Sequence, residues 1–363
     1  MTVRVGIIGV GWGSIVHLPA YRAADGYEVV ALCSQRRESV EAAGAKNGIT
    51  DTSTDWESFV RRDDLDLVSI AAPVAHHHPM TMAALAADKH VLCEKPLALT
   101  AAQCAEMVAA AETSGKATAT CFELRWLPDR SRVRQLVADG VVGTPYFVRL
   151  SQSAGYWHPT HAAQAPWMYD LAAGGGYLNG LLAHDIDLIC SLFGRPVSLC
   201  AEVRTSVPTK TLRDGTTIDV TADDTSALLL RLESGALAVI TASVVGVHTS
   251  GAHLDVFGKN GSIVGPLGSR PSGTDQLKAG TATDSGLATV EPLFRMPTHD
   301  DVIPQRGAGG MIRAMALMLE DWHPSLVDRA VPTTAPSLRD GMIVQQVIEA
   351  ARASAAGRGW IDL

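Results

Sequence analysis

The sequence has few charged residues and no concentrated basic region. Only 19% of its 363 residues are Asp, Glu, Lys or Arg, and the formal net charge is −8. Adjacent basic residues occur only as short pairs, such as Arg36-Arg37 and Arg61-Arg62. A protein that binds nucleic acid needs a basic face to neutralise phosphates, so the composition argues against a nucleic-acid partner.

Long apolar runs and paired cysteines are also missing. No stretch of 18 or more apolar residues is free of polar interruption, which argues against a membrane-spanning helix. The first residues lack the basic flank and long apolar core of a secretory signal. None of the six cysteines forms a Cys-x-x-Cys pair, and several lie in apolar runs typical of buried free thiols. We therefore expect a cytoplasmic protein with no membrane partner.

Hydrophobic residues make up 47% of the chain, and its length suits two domains. In the first 120 residues, short apolar strands alternate with helical patterns, which predicts a parallel sheet covered on both faces in a doubly wound α/β domain. The predicted strands are Val3–Gly9, Glu28–Cys33, Leu65–Ala71, His90–Cys93 and Lys116–Cys121. The predicted helices are Ile15–Ala24, Arg37–Asn47, Asp55–Arg61, Met80–Ala87 and Ala101–Ser114.

From Phe122 onward the pattern changes to that of an α+β domain with a large open, mostly antiparallel sheet. The predicted strands are Tyr146–Gln152, Val197–Ser206, Asp224–Leu232, Leu237–Val245 and His253–Phe257. Helices are predicted at Asp129–Asp139, Gly310–Glu320 and Ser337–Ala355, and residues 266–290 are predicted to form a loop and an edge strand. The predicted domains are therefore residues 1–121 and 122–363.

A glycine-rich turn follows the first predicted strand and opens the first helix. Gly9 permits a tight turn, and Gly11 allows the backbone to approach a pyrophosphate at the helix N-terminus. Ser14 occupies the third position of this fingerprint, where Gly or Ala is usual, and it is small enough to preserve close packing. The pattern predicts a dinucleotide site.

The end of the second strand bears on which dinucleotide binds. An acidic residue there would bind the ribose 2′-hydroxyl of NAD, but this chain has Ser34, followed by Arg36 and Arg37. A small hydroxyl beside guanidinium groups suits a 2′-phosphate, so NADP is expected to be preferred over NAD. Alternatively, the two arginines simply begin an exposed helix.

Lys95 follows the fourth predicted strand, whose carboxyl end faces the cofactor crevice in this topology. A lysine in that place can polarise a substrate oxygen. The alternative is a structural lysine that extends to solvent from a strand end.

His184 lies beyond a Gly174–Gly176 turn, in a stretch with helical periodicity from Leu178 to Phe193. On a continuous helix, positions 180, 184 and 187 share one face. Imidazole is suited to proton transfer near neutral pH, so His184 is a candidate acid–base group. A buried histidine with a purely structural role is the alternative.

Together these motifs resemble the glucose–fructose oxidoreductase/inositol dehydrogenase (Gfo/Idh/MocA) family along nearly the whole chain. The matching pieces are the Gly9 fingerprint, Ala71–Pro73 with His77, Glu94–Pro96, Phe122–Trp126, Ala165–Trp167, Gly174–Asp187 and Ser337–Met342. The resemblance implies a Rossmann domain, followed by a domain whose open sheet mediates homodimers or homotetramers. The implied activity is hydride transfer between NAD(P) and a hydroxyl-bearing or ketone ring carbon of a sugar, cyclitol or sugar derivative.

The resemblance also assigns roles to residues. Lys95 orients the substrate oxygen and His184 transfers its proton, while Glu94 and Arg125 help to place the nicotinamide. The expected cofactor-binding residues are Gly9, Gly11, Trp12, Gly13, Ser14, Ser34, Arg36, Arg37, Ala72, Pro73, His77, Glu94, Lys95, Arg125 and Trp167. The expected substrate-binding residues are Lys95, Trp157, His158, His161, Tyr169, Asn179, His184 and Asp187.

Three positions depart from the family pattern. Gly180 replaces the Asp that usually lies four residues before the catalytic His, and Val74 and Met168 replace an Asn and an Arg. Loss of the Asp matters most, because it normally orients the histidine. Substitutes for it are left open among three residues, namely Asn179, Asp185 and Asp187.

The adjacent histidines His76, His77 and His78 do not predict a metal site. Side chains that alternate in an extended loop do not converge on one ion. One of the three, His77, is expected to line the cofactor cleft.

Two other functions stay open. The first is a redox-neutral reaction with tightly held NAD(P), as in the NAD-dependent glycosidases of the family. The second is a catalytically silent NADP-binding sensor, which the missing carboxylate at Gly180 would permit.

Overall fold

A computed structural model describes residues 1–163, 165–268, 276–293 and 309–363 of the chain. The described residues form two compact units. The first contains Met1–Trp126 and residues 309–345, and the second contains residues 127–293, apart from the undescribed positions, together with Gln346–Leu363. The segment 309–345 had been assigned to the second domain from sequence. It groups with the first because its helix packs on Leu18–Ala23, and because Tyr27 Oη donates to the Leu319 carbonyl at 2.8 Å.

The first unit contains a parallel sheet whose strand order, within the described residues, is β3-β2-β1-β4-β5-β6. This order confirms the doubly wound prediction. The strands are β1 Val3–Ile8, β2 Tyr27–Cys33, β3 Thr52–Ser53, β4 Leu67–Ile70, β5 His90–Cys93 and β6 Thr118–Thr120. The two-residue strand β3 was not predicted, because it has too few residues to show a periodicity.

Helices of the first unit cover the sheet, and their caps follow the sequence signals. The Thr100 hydroxyl accepts from the Gln103 N–H at 3.2 Å to cap α5, and Gly115 ends that helix with φ +68°. The helices are α1 Leu18–Ala23, α2 Arg37–Asn47, α3 Trp56–Val60, α4 His77–Ala86, α5 Ala101–Ser114, α8 Gly309–Val327 and the first part of α9 Leu338–Gly357. A turn of π-helix at Gly13–His17 precedes α1, where a continuous helix had been predicted.

The second unit contains a large mixed sheet, and its strands confirm the predicted mostly antiparallel arrangement. Within the described residues the strand order is β16-β15-β14-β13-β7-β12-β11-β8-β17, and only the β7–β12 pair is parallel. The strands are β7 Pro145–Ser153, β8 Pro196–Arg204, β11 Thr225–Leu232, β12 Leu237–Ser243, β13 Gly251–Gly258, β14 Gly261–Leu267, β15 Lys278–Thr281, β16 Ala288–Thr289 and β17 Ile361–Asp362.

Within its described residues, the second unit also contains three α-helical segments and an unpredicted hairpin. They are α6 Pro128–Ala138, α7 Ala183–Phe193, the end of α9, and the hairpin of β9 Thr209–Thr211 and β10 Thr217–Asp219. Burial alternates along β11, as expected for a sheet with one packed face. Part of the predicted loop 266–290, residues 269–275, lies outside the described residues.

Among the described helices, none combines the length and the apolar character needed to cross a lipid bilayer.

Candidate functional site

The glycine turn after β1 has the backbone geometry that its sequence predicts. Gly9 adopts φ +100°, and a Cβ atom there would collide with the backbone carbonyl of Ala71. Among the described residues, no atom lies within 4 Å of the position that a Cβ of Gly11 would take, so the backbone there is open to a ligand. Ser14 donates from its hydroxyl to the Val10 carbonyl and thereby closes the turn.

A cleft of about 520 Å³ lies where β1, β2 and β4 end. It brings together five of the predicted cofactor-binding residues, namely Gly9, Ser34, Arg36, Ala72 and Pro73. Carboxyl ends of parallel strands are where doubly wound folds bind nucleotides. Two acidic residues, Asp55 and Glu57, also line this cleft, and no sequence signal had pointed to them.

Two predicted cofactor-binding side chains lie elsewhere. The Arg37 guanidinium is 3.4 Å from Glu41 on the exposed side of α2. His77 is buried, with its ring nitrogens 2.9 Å from the Pro96 carbonyl and 2.8 Å from the Ala72 carbonyl. Of the three adjacent histidines, His76 is the one among the residues that line this cleft, where His77 had been expected. His77 begins α4. Its buried imidazole bonds to the carbonyl of Ala72, the residue before Pro73.

The peptide before Lys95 is held by a buried polar network. Glu94 accepts from the Lys95 N–H at 3.0 Å through one carboxylate oxygen and lies 2.9 Å from His17 Nε2 through the other. His17 Nδ1 is in turn 2.8 Å from the Ser69 hydroxyl. Burial raises the pKa of Glu94, but the hydrogen bond with His17 and the nearby Lys95 charge outweigh it, so this pKa lies below its usual value. Glu94 is therefore an ionised group that fixes the start of the Lys95 segment.

A second buried carboxyl group, Glu123, lies close to Glu94. Burial and then the Glu94 charge raise the pKa of Glu123 to about 8, because two adjacent carboxylates without water cannot both ionise easily. Cys121 donates to Glu123 at 3.5 Å, and burial raises the pKa of its thiol well above the usual value. Cys121, His17 and Glu94 bring potential metal ligands within 4.8 Å of one another, but hydrogen bonds already occupy both nitrogens of His17.

Arg125, predicted to help place the nicotinamide, pairs with the C-terminal region of the first unit. Its Nη2 donates to Asp340 at 2.9 Å, and Asp340 also accepts from the Ser337 backbone N–H at 2.8 Å. Gly341 follows at a point where an added Cβ would lie 2.8 Å from the Thr120 hydroxyl. These contacts explain why Ser337–Met342 belongs to the recognisable pattern.

His184 is buried near the start of α7, one residue after Ala183. The preceding turn of π-helix, Leu178–Leu182, is interrupted at Gly180, whose φ of −77° and ψ of −112° are not helical. The prediction of one continuous helical face through position 180 is therefore wrong. Asp187 is also buried, and it lies three residues after His184 on the regular part of the helix.

Two of the residues suggested as substitutes for the missing carboxylate form hydrogen bonds with other groups. Asn179 donates through Nδ2 to the carbonyls of Gly174 and Gly175 at 3.0 and 3.1 Å and so holds the glycine turn. Asp185 pairs with Arg130 at 2.5 Å, and both side chains are buried. Arg130 also donates to the His184 carbonyl at 3.4 Å. Asp187 is the remaining candidate, and it lies on α7 three residues after His184.

The predicted substrate segment of the second unit divides into buried and accessible parts. Trp157 and Tyr169 are buried, with ring centroids 4.6 Å apart, so they support the segment from within. His161 is exposed and His158 is half-buried. Trp167, predicted to contact the cofactor, has an exposed indole.

Besides Asp55 and Glu57, three functional candidates were not singled out from sequence. His17 lies in an ordinary-looking helix start, and its partner Glu94 is 77 residues away. Glu123 was part of the Phe122–Trp126 motif, which could have drawn attention to it. Lys210 is a buried lysine on a hairpin that has no motif of its own.

The comparisons with known proteins agree with this geometry. A family model described as "Oxidoreductase family, NAD-binding Rossmann fold" matches residues 3–122, and a GFO/IDH/MocA C-terminal domain model matches residues 131–264. The chain belongs to the Gfo/Idh/MocA family of oxidoreductases. The predicted family and fold are thus confirmed, and with them the nucleotide-binding class of the first unit.

Individual relatives are distant but extend along the chain. Levoglucosan dehydrogenase of Pseudarthrobacter phenanthrenivorans is 25% identical over 99% of this chain and 98% of its own. Myo-inositol 2-dehydrogenase of Thermotoga maritima is 26% identical over 72% of this chain and 74% of its own. A solved levoglucosan dehydrogenase in complex with NADH and levoglucosan shares the fold, with a TM-score of 0.87, 23% identity and coverage of 100% of this chain and 99% of the other.

Proposed function

We propose that this Gfo/Idh/MocA family member is an NAD(P)-dependent dehydrogenase or ketoreductase that acts on a hydroxyl or ketone at a ring carbon of a sugar, cyclitol or sugar derivative. The observation that carries the proposal is that each of the two candidate catalytic residues is held by its own surroundings. The Lys95 segment is fixed by Glu94 and His17, and the buried His184 is held by α7. The dehydrogenases named above act on a levoglucosan and an inositol, which supports the same substrate class here.

The first unit fits a nicotinamide dinucleotide. The turn from Gly9 to Gly11 presents open backbone at Gly11, before the first helical turn, which suits a pyrophosphate. The cleft with Ser34 and Arg36 would hold the adenosine ribose. When bound, the nicotinamide accepts or supplies the hydride.

The chain's own residues supply charge and proton transfer. In the oxidation direction, the Lys95 ammonium donates a hydrogen bond to the substrate oxygen and stabilises the negative charge that develops on it. His184 accepts the hydroxyl proton as the C–H bond breaks, and it returns a proton to the oxygen in the reverse reaction. Glu94 does not take part in proton transfer, because its carboxylate is already bonded to His17 and to the Lys95 N–H.

A substrate screen tests this function. The purified protein is incubated with NADP or NAD and a panel of sugars, cyclitols and anhydrosugars, and with NADPH or NADH and their keto forms, while absorbance at 340 nm is followed. We expect net NAD(P)H formation or consumption that greatly exceeds the enzyme concentration for at least one member. Hydrolysis of a glycoside without net change in NAD(P)H would support the redox-neutral glycosidase instead, and nucleotide binding without any turnover would support the silent sensor.

We further propose that the protein is a cytoplasmic homodimer or homotetramer that assembles through the exposed face of the large sheet. All six cysteines are free thiols, as a reducing compartment would require. On the sheet, Phe147 and Phe257 stack with centroids 6.4 Å apart, and Phe257 is 42% exposed. Light scattering should give the mass of two or four chains. A Phe257→Asp variant should give a smaller assembly, and a monomeric wild type would contradict the proposal.

A further inference from the structure

Lys210 is a buried lysine whose ammonium group is bound by backbone carbonyls. The side chain lies on β9 of the hairpin and is only 2% exposed. Its Nζ donates to the carbonyls of Trp157, His158 and His161 at 3.3, 2.9 and 2.7 Å. Three carbonyl dipoles from one short loop therefore converge on a single positive charge.

No carboxylate balances this charge in the part of the chain that the structure describes, where Lys210 forms no ion pair. Burial accordingly lowers the pKa of the Lys210 ammonium. A cation removed from water is costly, and charge-assisted hydrogen bonds to carbonyl oxygens compensate for that cost. The position therefore demands a group that is both positively charged and able to donate several hydrogen bonds.

The same hairpin also holds the later part of the loop through its backbone. The Ala163 N–H donates to the Thr211 carbonyl at 2.8 Å. Beyond the hairpin, the N–H groups of Thr221 and Ala222 donate to the Tyr169 carbonyl at 3.0 and 3.2 Å. The Tyr169 ring in turn packs against Trp157, one of the residues whose carbonyl binds Lys210.

The loop so held carries accessible polar and aromatic side chains. Tyr156 is 58% exposed, and His161 is exposed as well. The His158 ring is 2.8 Å from the Thr160 hydroxyl, and the His161 ring is 2.8 Å from the Gly155 carbonyl. These side chains belong to the segment predicted to bind the substrate.

We propose that Lys210 is a positioning residue that fixes the loop 156–163 and thereby sets the enzyme's affinity for its polyol substrate. The ammonium does not touch the reacting atoms. It couples three peptide units to one charge, so that the side chains of Tyr156, His158 and His161 keep one arrangement when substrate arrives. The effect on substrate rests on the proposed function, but the effect on the loop does not.

The effect of Lys210 on the loop is tested by hydrogen exchange followed by mass spectrometry. Lys210→Met retains most of the side-chain volume without the charge, and Lys259→Met, at an exposed position beside β14, is the matched control. We expect peptides covering 155–163 to exchange about tenfold faster in Lys210→Met, while peptides covering β8 are unchanged. Unchanged exchange in 155–163 would overturn the proposal.

The effect of Lys210 on substrate affinity is tested with the best substrate from the screen. Lys210→Met should raise KM about tenfold with kcat within about threefold, because uniform binding is lost rather than transition-state stabilisation. Lys210→Ala should regain affinity in millimolar propylammonium, which replaces the missing chain and its three donors, but not in tetramethylammonium, which cannot donate. A fall in kcat with KM unchanged, or equal effects of both cations, would overturn it.

Folding is controlled by thermal melting, with Lys210→Gln as a second variant that retains two donors. If both Lys210→Met and Lys210→Gln fail to fold, Lys210 supports the whole unit rather than the loop, and the proposal is wrong. Faster loop exchange in a protein without any dehydrogenase activity would retain the loop assignment and reject the proposed function. Dehydrogenase activity of the wild type, together with equal loop exchange in all variants, would retain the proposed function and reject the loop assignment.

Discussion

At the scale of single residues, Arg36 and Arg37 are adjacent in sequence but lie in different surroundings. Arg36 lines the nucleotide cleft with Ser34, whereas the Arg37 guanidinium is 3.4 Å from Glu41. The sequence alone gave both arginines the same claim to a 2′-phosphate. Of the two arginines, Arg36 is the one among the residues that line the cleft, and Asp55 lines the same cleft.

The first prediction concerns this difference. Arg36→Ala should weaken NADP binding about tenfold, or ~1.4 kcal/mol, and leave NAD binding within about twofold. Arg37→Ala is the matched control and should change neither. Calorimetric titration of the three proteins with both nucleotides measures the effect. Equal losses in the two variants, or a wild type that binds NAD as tightly as NADP, would contradict the expected NADP preference.

The second prediction concerns Glu123, whose pKa of about 8 exceeds that of an ordinary glutamate because of burial and the neighbouring Glu94. The folded protein therefore retains a proton that the unfolded chain has lost, and this contribution to stability falls as pH rises toward 8. The contribution of Glu123 to the free energy of unfolding falls by at most about 1.4 kcal/mol per pH unit. Because the amide of Glu123→Gln cannot ionise, this variant should gain stability relative to wild type between about pH 5 and 8.

Denaturant unfolding at pH 5.5, 7.0 and 8.5 measures this difference. Glu28→Gln, at an exposed position of β2, controls for the simple loss of a carboxylate. A difference between Glu123→Gln and wild type that does not change with pH would show that Glu123 ionises as an ordinary carboxyl group.

At the scale of elements, a buried ion pair joins α6 to the start of α7. Arg130 pairs with Asp185 at 2.5 Å and donates to the His184 carbonyl at 3.4 Å. Burial raises the pKa of Asp185, and the Arg130 charge opposes that rise. The backbone that carries His184 is therefore held by a pair whose two charges depend on each other.

The third prediction follows from that dependence. Arg130→Met leaves the Asp185 carboxyl group buried without its cation and should cost about 3–5 kcal/mol of unfolding free energy. The double variant Arg130→Met/Asp185→Leu removes both charges and should recover most of the loss. Urea unfolding of Arg130→Met, Asp185→Leu and the double variant gives the coupling energy between the two side chains. Single variants that cost less than about 1 kcal/mol would show that the pair is not energetically linked.

Elements were predictable where one local pattern decides them. The apolar runs of β1, β2 and β5 and the caps of α5 depend on neighbouring residues, and the structure has them nearly as predicted. The break at Gly180 was missed because Leu178–Phe193 has helical periodicity throughout, and periodicity does not report one residue's ψ. The hairpin of β9 and β10 was missed because its strands are too short to show an alternation.

At the scale of the whole molecule, the family and fold were predictable because they depend on motifs in sequence order. The partners of the site were not, since they depend on residues far apart in the chain. His17 and Glu94 are 77 residues apart, and Lys210 is 52 residues from the His158 carbonyl that it binds. A single sequence does not show which distant residues meet, so it predicted roles for Lys95 and His184 but did not point to His17 or Arg130.

The central claim is that Lys95 and His184 act in chemistry on a substrate oxygen, and a kinetic comparison tests it most directly. Lys95→Ala and His184→Ala are assayed on the best substrate, alongside their melting temperatures and nucleotide dissociation constants. Each should lower turnover by about 100-fold or more, the range for an acid–base or electrostatic group, while folding and nucleotide binding stay near wild type. Retention of more than about a third of the activity by either variant would contradict the role assigned to that residue.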